Sequence, residues 1–174
     1  DWTAYFETMP ADKIDLALNL EADRMTNSLF DPQEVESERT VIMSEREGNE
    51  NEPLFRLDEA IQAAAFERHP YRFEVVGEME DLRTIQREDL YQHYRAYYVP
   101  GNAVLAVAGD FKVEEMLQKI IERYGGIPAG QPPLLPELRE DELFGEKQVE
   151  IKGPGETAYL RLAYRAPVAA HQDF

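Results

Sequence analysis

The chain has 174 residues, with 35 acids against 18 bases and a net charge of −17. That balance repels a phosphate backbone, so no nucleic-acid partner is expected; it favours solubility and attraction for basic peptides. There is no cysteine, which excludes disulfides and thiolate metal sites, and no apolar run is long enough to span a membrane. Hydrophobic content of 43% suits a globular protein of one domain, or one plus part of a second. The chain starts at Asp1 without an initiating Met and reads as cut from something longer, so its localisation stays open.

From the N-terminus, Thr3 to Thr8 reads as a strand ended by Pro10. Asp12 is placed to cap a helix running to about Met25, with Ile14, Ala17, Leu18 and Met25 on one face; Asn27-Ser28 break it. Asp31-Pro32-Gln33-Glu34 opens the next helix with Asp at the N-cap, Pro at N1 and Glu at N3, and Gly48-Asn49 should end it. Pro53 starts a third, whose apolar side is Leu54, Leu57, Ile61, Ala64 and Ala65. His69-Pro70 stops that element, and a loop crosses to Gly77. A helix then runs from Arg87 to Tyr98, crowded with Tyr91, Tyr94, Tyr97 and Tyr98, before the turn Pro100-Gly101-Asn102.

Ala103 to Ala108 is a continuous apolar run, as in a strand buried on both faces. The helix from Val113 to Tyr124 should turn Met116, Leu117, Ile120 and Ile121 inward. Pro128, Gly130, Pro132, Pro133 and Pro136 make a stiff, extended linker. Lys147 to Lys152 and Glu156 to Tyr164 then read as two strands about the turn Gly153-Pro154-Gly155, with a tail from His171 to Phe174. Two strands and a tail do not close a core alone, so they read as the opening of a second domain.

The second helix carries the most chemistry. Val35, Glu38, Ile42 and Glu45 recur at steps of three and four and share one face. Val35 and Ile42 call for a core there, and a carboxylate in a core is costly unless a cation or a donor meets it. Two such groups, two turns apart, suggest a metal ligand with a supporting carboxylate. Glu34, Glu36, Glu47, Glu50 and Glu52 also lie on this stretch, so a solvated acidic helix is the competing reading.

Other chemistries find less support. No Gly-x-Ser-x-Gly elbow or phosphate-binding loop is present, and the oxygen spacing around Glu45 to Glu52 does not make a calcium loop. His69 reads as part of a helix terminator, His93 as packing or surface, and His171 as tail; no two have zinc spacing. The tyrosines around Tyr94 suit groove packing or an aromatic binding platform.

Several landmarks stand in order: Asp1-Trp2-Thr3-Ala4-Tyr5, Leu16 through Met25 (Leu-Ala-Leu-Asn-Leu-Glu-Ala-Asp-Arg-Met), Glu36-Ser37-Glu38-Arg39, Val41-Ile42-Met43-Ser44-Glu45, His69-Pro70-Tyr71, Gly77-Glu78, and Tyr97-Tyr98-Val99-Pro100-Gly101-Asn102 leading to Val107-Ala108-Gly109-Asp110. Across the whole chain this series resembles the M16 metallopeptidases, the group of pitrilysin, insulin-degrading enzyme and the mitochondrial processing peptidase. The resemblance implies an α+β fold, a mixed sheet covered by helices. On it, residues 1–126 are the C-terminal part of a first M16 domain, 127–145 a Pro-rich linker, and 146–174 the start of a related second domain.

In that family two histidines of a His-x-x-Glu-His helix bind zinc, and the Glu between them is the general base. The third ligand is a Glu at the end of Glu-x-x-x-x-x-x-Glu. The resemblance therefore implies Glu45 as the third zinc ligand and Glu38 as the residue orienting a liganding histidine. His-x-x-Glu-His is absent from this sequence and is expected upstream of Asp1, so no catalytic residue is assigned within the chain. What the resemblance implies is part of a zinc endopeptidase, inactive by itself, whose complete form holds Zn2+ and encloses peptide or unfolded polypeptide. The enclosing chamber would need a second M16 half, on the same chain or a separate subunit. The alternative is part of a non-catalytic M16-like subunit with a structural or substrate-holding role. Glu47, Glu50 and Glu52 could line an acidic wall for basic peptides.

Overall fold

The structure is a computed structural model that describes residues 2–135, 138, 140, 145–153, 155–168 and 170–173. Asp1, Pro136, Pro154 and Phe174, which enter the expectations for the N-terminus, linker, strand turn and tail, lie outside the described residues. Every regular element among the described residues is helical: α1 (Ile14–Asn27), α2 (Pro32–Glu50), α3 (Pro53–Ala65), α4 (Met79–Thr84), α5 (Arg87–Tyr97) and α6 (Val113–Tyr124). Short 3-10 turns lie at Ala11–Lys13, Pro70–Arg72 and Pro100–Asn102.

The expected mixed sheet, and with it the α+β class, is corrected by this finding. Residues 3–8, 103–108, 147–152 and 156–164 carry strand-like sequence, but no ladder forms on any of them among the described residues. Strand propensity is a local preference for a pleated, half-buried surface, whereas a strand exists only when another backbone lies alongside it. The run expected to be buried on both faces is open instead, with Val104 96% exposed.

The chain divides into two compact units, Asp1–Pro32 with Gln86–Leu135, and Gln33–Ile85 with Pro136–Phe174. In the first, α1 packs on α6, and Ala17, Leu18, Tyr94 and Met116 are buried. Met116 takes the inward position on α6, while Leu117 and Ile121, expected beside it, are more than half exposed. Asp12 does not cap α1, since it lies within the preceding 3-10 turn. Asp15 joins the two helices through Lys119 at 2.5 Å and Arg123 at 2.7 Å. Chiefly through the hydrogen bond from Lys119, its carboxyl is held below the ordinary range.

Within the tyrosine cluster, Tyr94 of α5 is a packing residue, 3% exposed. Its hydroxyl donates to the Arg24 carbonyl at 2.8 Å and accepts from the Ser28 N–H at 3.2 Å, so both valences are used where water is excluded. Phe30 packs on it at 5.3 Å from a left-handed backbone with φ of 51°. Arg87 holds that uncommon turn by donating to the carbonyls of Leu29 (2.8 Å) and Phe30 (2.9 Å). Further on, the Gly101 N–H donates to the Ala129 carbonyl at 2.6 Å, an approach so close that a Cβ on Gly101 would stand 2.4 Å from the Gly130 oxygen.

In the second unit, two cations from the C-terminal segment meet the last carbonyls of α3: Lys147 donates to Ala64 at 3.2 Å and Arg165 to Ala65 at 3.3 Å. Positive charge at a helix C-terminus complements its dipole. Just beyond α3, the successive N–H groups of Glu67 (2.9 Å), Arg68 (2.5 Å) and His69 converge on the Glu140 carboxylate. These bonds, the one from Glu67 first, hold Glu140 down to about 2, against an ordinary 4.5. Beside the Leu57, Ala60 and Ile61 face of α3 lies a half-open groove of about 920 Å³.

Candidate functional site

Helix α2 opens with Pro32 at its first position, as the sequence predicts, and continues two residues past Gly48 to Glu50. Val35 and Ile42 are half-buried, as their spacing requires. Glu38 and Glu45, on the same face, are exposed, and among the described residues neither has a hydrogen-bond or ion-pair partner. The buried stripe expected for the two carboxylates is thus corrected: apolar members of the face go halfway in, and acidic members stay in water, where they cost nothing.

The residues that fix α2 are the two arginines that follow these glutamates. Arg46 is 4% exposed. It donates to Glu50 at 3.0 Å, to Glu59 of α3, and to the Gly77 carbonyl at 3.3 Å, and it lies 5.0 Å over the Phe55 ring. Burial works against its charge, but the bonds it donates to Glu50 and Glu59 outweigh it and hold the guanidinium above its ordinary range. Gly77 carries a φ of 82°, a left-handed conformation that glycine adopts freely. Seven residues earlier, Arg39 pairs with Glu36 and donates to the carbonyls of Leu82 and Ile85 (2.5 Å to Ile85) at the C-terminal end of α4. Glu50 is therefore engaged inside this unit rather than standing free in an acidic wall with Glu47 and Glu52.

Neither arginine was singled out by the sequence reading, although a signal was there. Ser37-Glu38-Arg39 repeats as Ser44-Glu45-Arg46, two turns on. The repeat places an anchoring cation and an unengaged carboxylate side by side, twice along one helix. Rising about 1.5 Å per residue, the seven steps between Glu38 and Glu45 set their backbones about 10 Å apart. That separation suits one direct ligand and one carboxylate acting through an intervening side chain better than two ligands on a single ion at about 2 Å.

The histidines do not join them. His69 Nδ1 accepts from the Tyr71 N–H at 3.2 Å, His93 stacks on Tyr97 at 4.5 Å, and His171 Nδ1 accepts from the Asp173 N–H at 3.2 Å. The described residues bring together no three His, Cys, Asp or Glu side chains able to hold a metal ion. A catalytic zinc takes three protein ligands, so the described residues do not by themselves fit that group; Glu45 offers one donor. No described helix is long and apolar enough to cross a membrane.

Comparison with known proteins gives two family profiles. Residues 1–78 match the insulinase domain of peptidase family M16, and residues 84–174 match the domain described as the peptidase M16 inactive domain. The "Zinc protease PqqE" of Helicobacter pylori is 28% identical over 178 residues, covering 99% of this chain and 40% of that protein. Human "Cytochrome b-c1 complex subunit 1, mitochondrial" is 28% identical over 167 residues, covering 88% of this chain and 35% of that protein. A solved protease from Helicobacter pylori shares the fold with a TM-score of 0.67 at 24% identity, over 74% of this chain and 31% of that one. The chain spans about 40% of the length of the first of these relatives.

Proposed function

Because the chain belongs to peptidase family M16, we propose that it supplies Glu45 as the carboxylate ligand of a zinc peptidase site. Glu38 serves as the group that orients a liganding histidine. The observation that carries this reading is the state of α2: both carboxylates exposed and unengaged, on a helix whose rotation is fixed by Arg39 and Arg46. A ligand helix needs both properties, since a donor must be free to bond and must not wander. The two histidines and the general base would come from sequence outside these residues. Residues 1–126 would then complete a first domain, 127–145 link it onward, and 146–174 begin a second. The substrate would be a peptide or unfolded polypeptide, held with the help of a second M16 half, and these residues alone would not hydrolyse it.

The test is zinc-dependent stabilisation of the full-length protein. Ligand at a hundred times its dissociation constant stabilises by about 2.7 kcal/mol, which raises the Tm measurably. That rise should be present in the natural protein and strongly reduced in Glu45→Gln, with Glu38→Gln intermediate. Equal zinc shifts in all three would remove Glu45 from the site.

A second reading, a non-catalytic subunit, is favoured by the match to a relative named as a subunit of a complex rather than as a protease. The coding sequence upstream of Asp1 separates the two. An intact His-x-x-Glu-His supports the peptidase, and a broken one supports the subunit.

A further inference from the structure

Between α3 and α4 the chain makes a short turn whose cap is a histidine. His69 precedes the 3-10 turn Pro70–Arg72, and its Nδ1 accepts from the Tyr71 N–H at 3.2 Å. An imidazole nitrogen accepts only while it carries no proton, so this bond puts the neutral ring's hydrogen on Nε2. The ring is half-buried, with the Tyr71 ring 4.4 Å and the Phe66 ring 5.8 Å from it, centroid to centroid.

The segment is fastened on both sides of this cap. Before it, the N–H groups of Glu67, Arg68 and His69 converge on the Glu140 carboxylate. After it, Glu74 accepts from Gln62 of α3 at 2.9 Å, and the Gly77 carbonyl accepts from Arg46 of α2 at 3.3 Å. We propose that His69 is a proton-operated cap. Neutral, it holds the Tyr71 N–H and closes the turn; protonated, it releases that donor and gives slack to residues 70–73 while the anchors on either side stay fast.

The reason is geometric. Protonation sets a hydrogen on Nδ1 facing the hydrogen of the Tyr71 N–H, and two donors do not share a 3.2 Å gap. Two backbone bonds limit the damage: the Arg72 N–H to the His69 carbonyl at 3.1 Å, and the Phe73 N–H to the Pro70 carbonyl at 3.0 Å. The neighbouring charges stay constant. Glu67 pairs with Lys147 at 2.8 Å, and chiefly that hydrogen bond holds its carboxyl below the ordinary range. Glu140, 3.7 Å from Arg165, is held down to about 2, first by the Glu67 N–H. Arg72 donates to the Glu67 carbonyl at 2.9 Å and lies 5.0 Å from the Phe73 ring centroid, and it keeps its charge, as Arg68 does. Histidine is the side-chain type that ordinarily titrates between about pH 5 and pH 8, so the cap is closed at the upper end and opens as pH falls.

The test labels histidine and tyrosine nitrogens in the full-length protein and follows them by NMR between about pH 8 and pH 5. At the upper end the His69 ring should show a bare Nδ1 and a protonated Nε2. On acidification the Tyr71 amide should lose about fivefold in exchange protection, after correction for the intrinsic pH dependence of exchange, which is the factor an ordinary cap supplies. That loss should share its midpoint with the His69 ring. His69→Asn offers a cap oxygen that does not titrate, so its Tyr71 protection should be flat across the range. A neutral ring protonated on Nδ1 overturns the proposal, as does Tyr71 protection that ignores the ring's titration. So does a His69→Asn variant whose protection still changes with pH, or a His69 amide, the one bonded to Glu140, that loosens together with Tyr71.

Discussion

Replacing Arg46 by methionine tests what fixes the candidate ligand helix. The substitution keeps most of the apolar volume and removes a guanidinium bonded to Glu50, Glu59 and the Gly77 carbonyl, at a position 4% exposed. Breaking a fully buried ion pair costs about 3–5 kcal/mol, because the abandoned partner stays charged and dry. Here the partners keep some water, with the Glu50 side chain 32% and the Glu59 side chain 25% exposed. Solvent screening takes a large part of that cost, and the expected loss is about 2 kcal/mol. For a chain of this length, that lowers the Tm by roughly 4–8 °C. Arg46→Lys should recover less than half, since one ammonium does not reproduce the fork that reaches three acceptors. Urea titration of Arg46→Met, Glu59→Gln and the double variant should show a coupling of about 1 kcal/mol. A stability for Arg46→Met within about 0.5 kcal/mol of the natural chain would refute the view that this cation organises the second unit.

The remaining expectations follow from single features. Gly101→Ala drives a methyl group to 2.4 Å from the Gly130 carbonyl oxygen, and should cost about 1–3 kcal/mol in urea, with the damage read as faster exchange of the residue-101 amide that donates to Ala129. Glu140 is held down to about 2, so its grip on residues 67–69 is complete above the ordinary value of 4.5 and is lost as pH falls toward 2. The amide shifts of Glu67, Arg68 and His69 should titrate together over that window, and in Glu140→Gln they should not titrate.

What the sequence revealed depended on how local each cause was. Helix α6 runs from Val113 to Tyr124 as its apolar period predicts, and α3 begins at Pro53, because proline, turn residues and periodicity act within a few residues. Helix α4 escaped, since six residues hold too little periodicity to register. The face of α2 was read correctly in Val35 and Ile42 and wrongly in its carboxylates. Which side of α2 turns inward is decided by Arg39 and Arg46, whose partners lie up to 46 residues away along the chain. Strand pairing is non-local in the same sense: residues 103–108 have the composition of a buried strand and make no ladder among the described residues.

The open run from Ala103 to Ala108 has a colloidal consequence. An exposed apolar run is adhesive toward another copy of itself. The −17 charge opposes that encounter by repulsion between copies. Its reach is the Debye length, about 10 Å in 0.1 M salt and only about 3 Å in 1 M. Concentrated salt is therefore expected to raise light scattering from this chain above its value in dilute buffer.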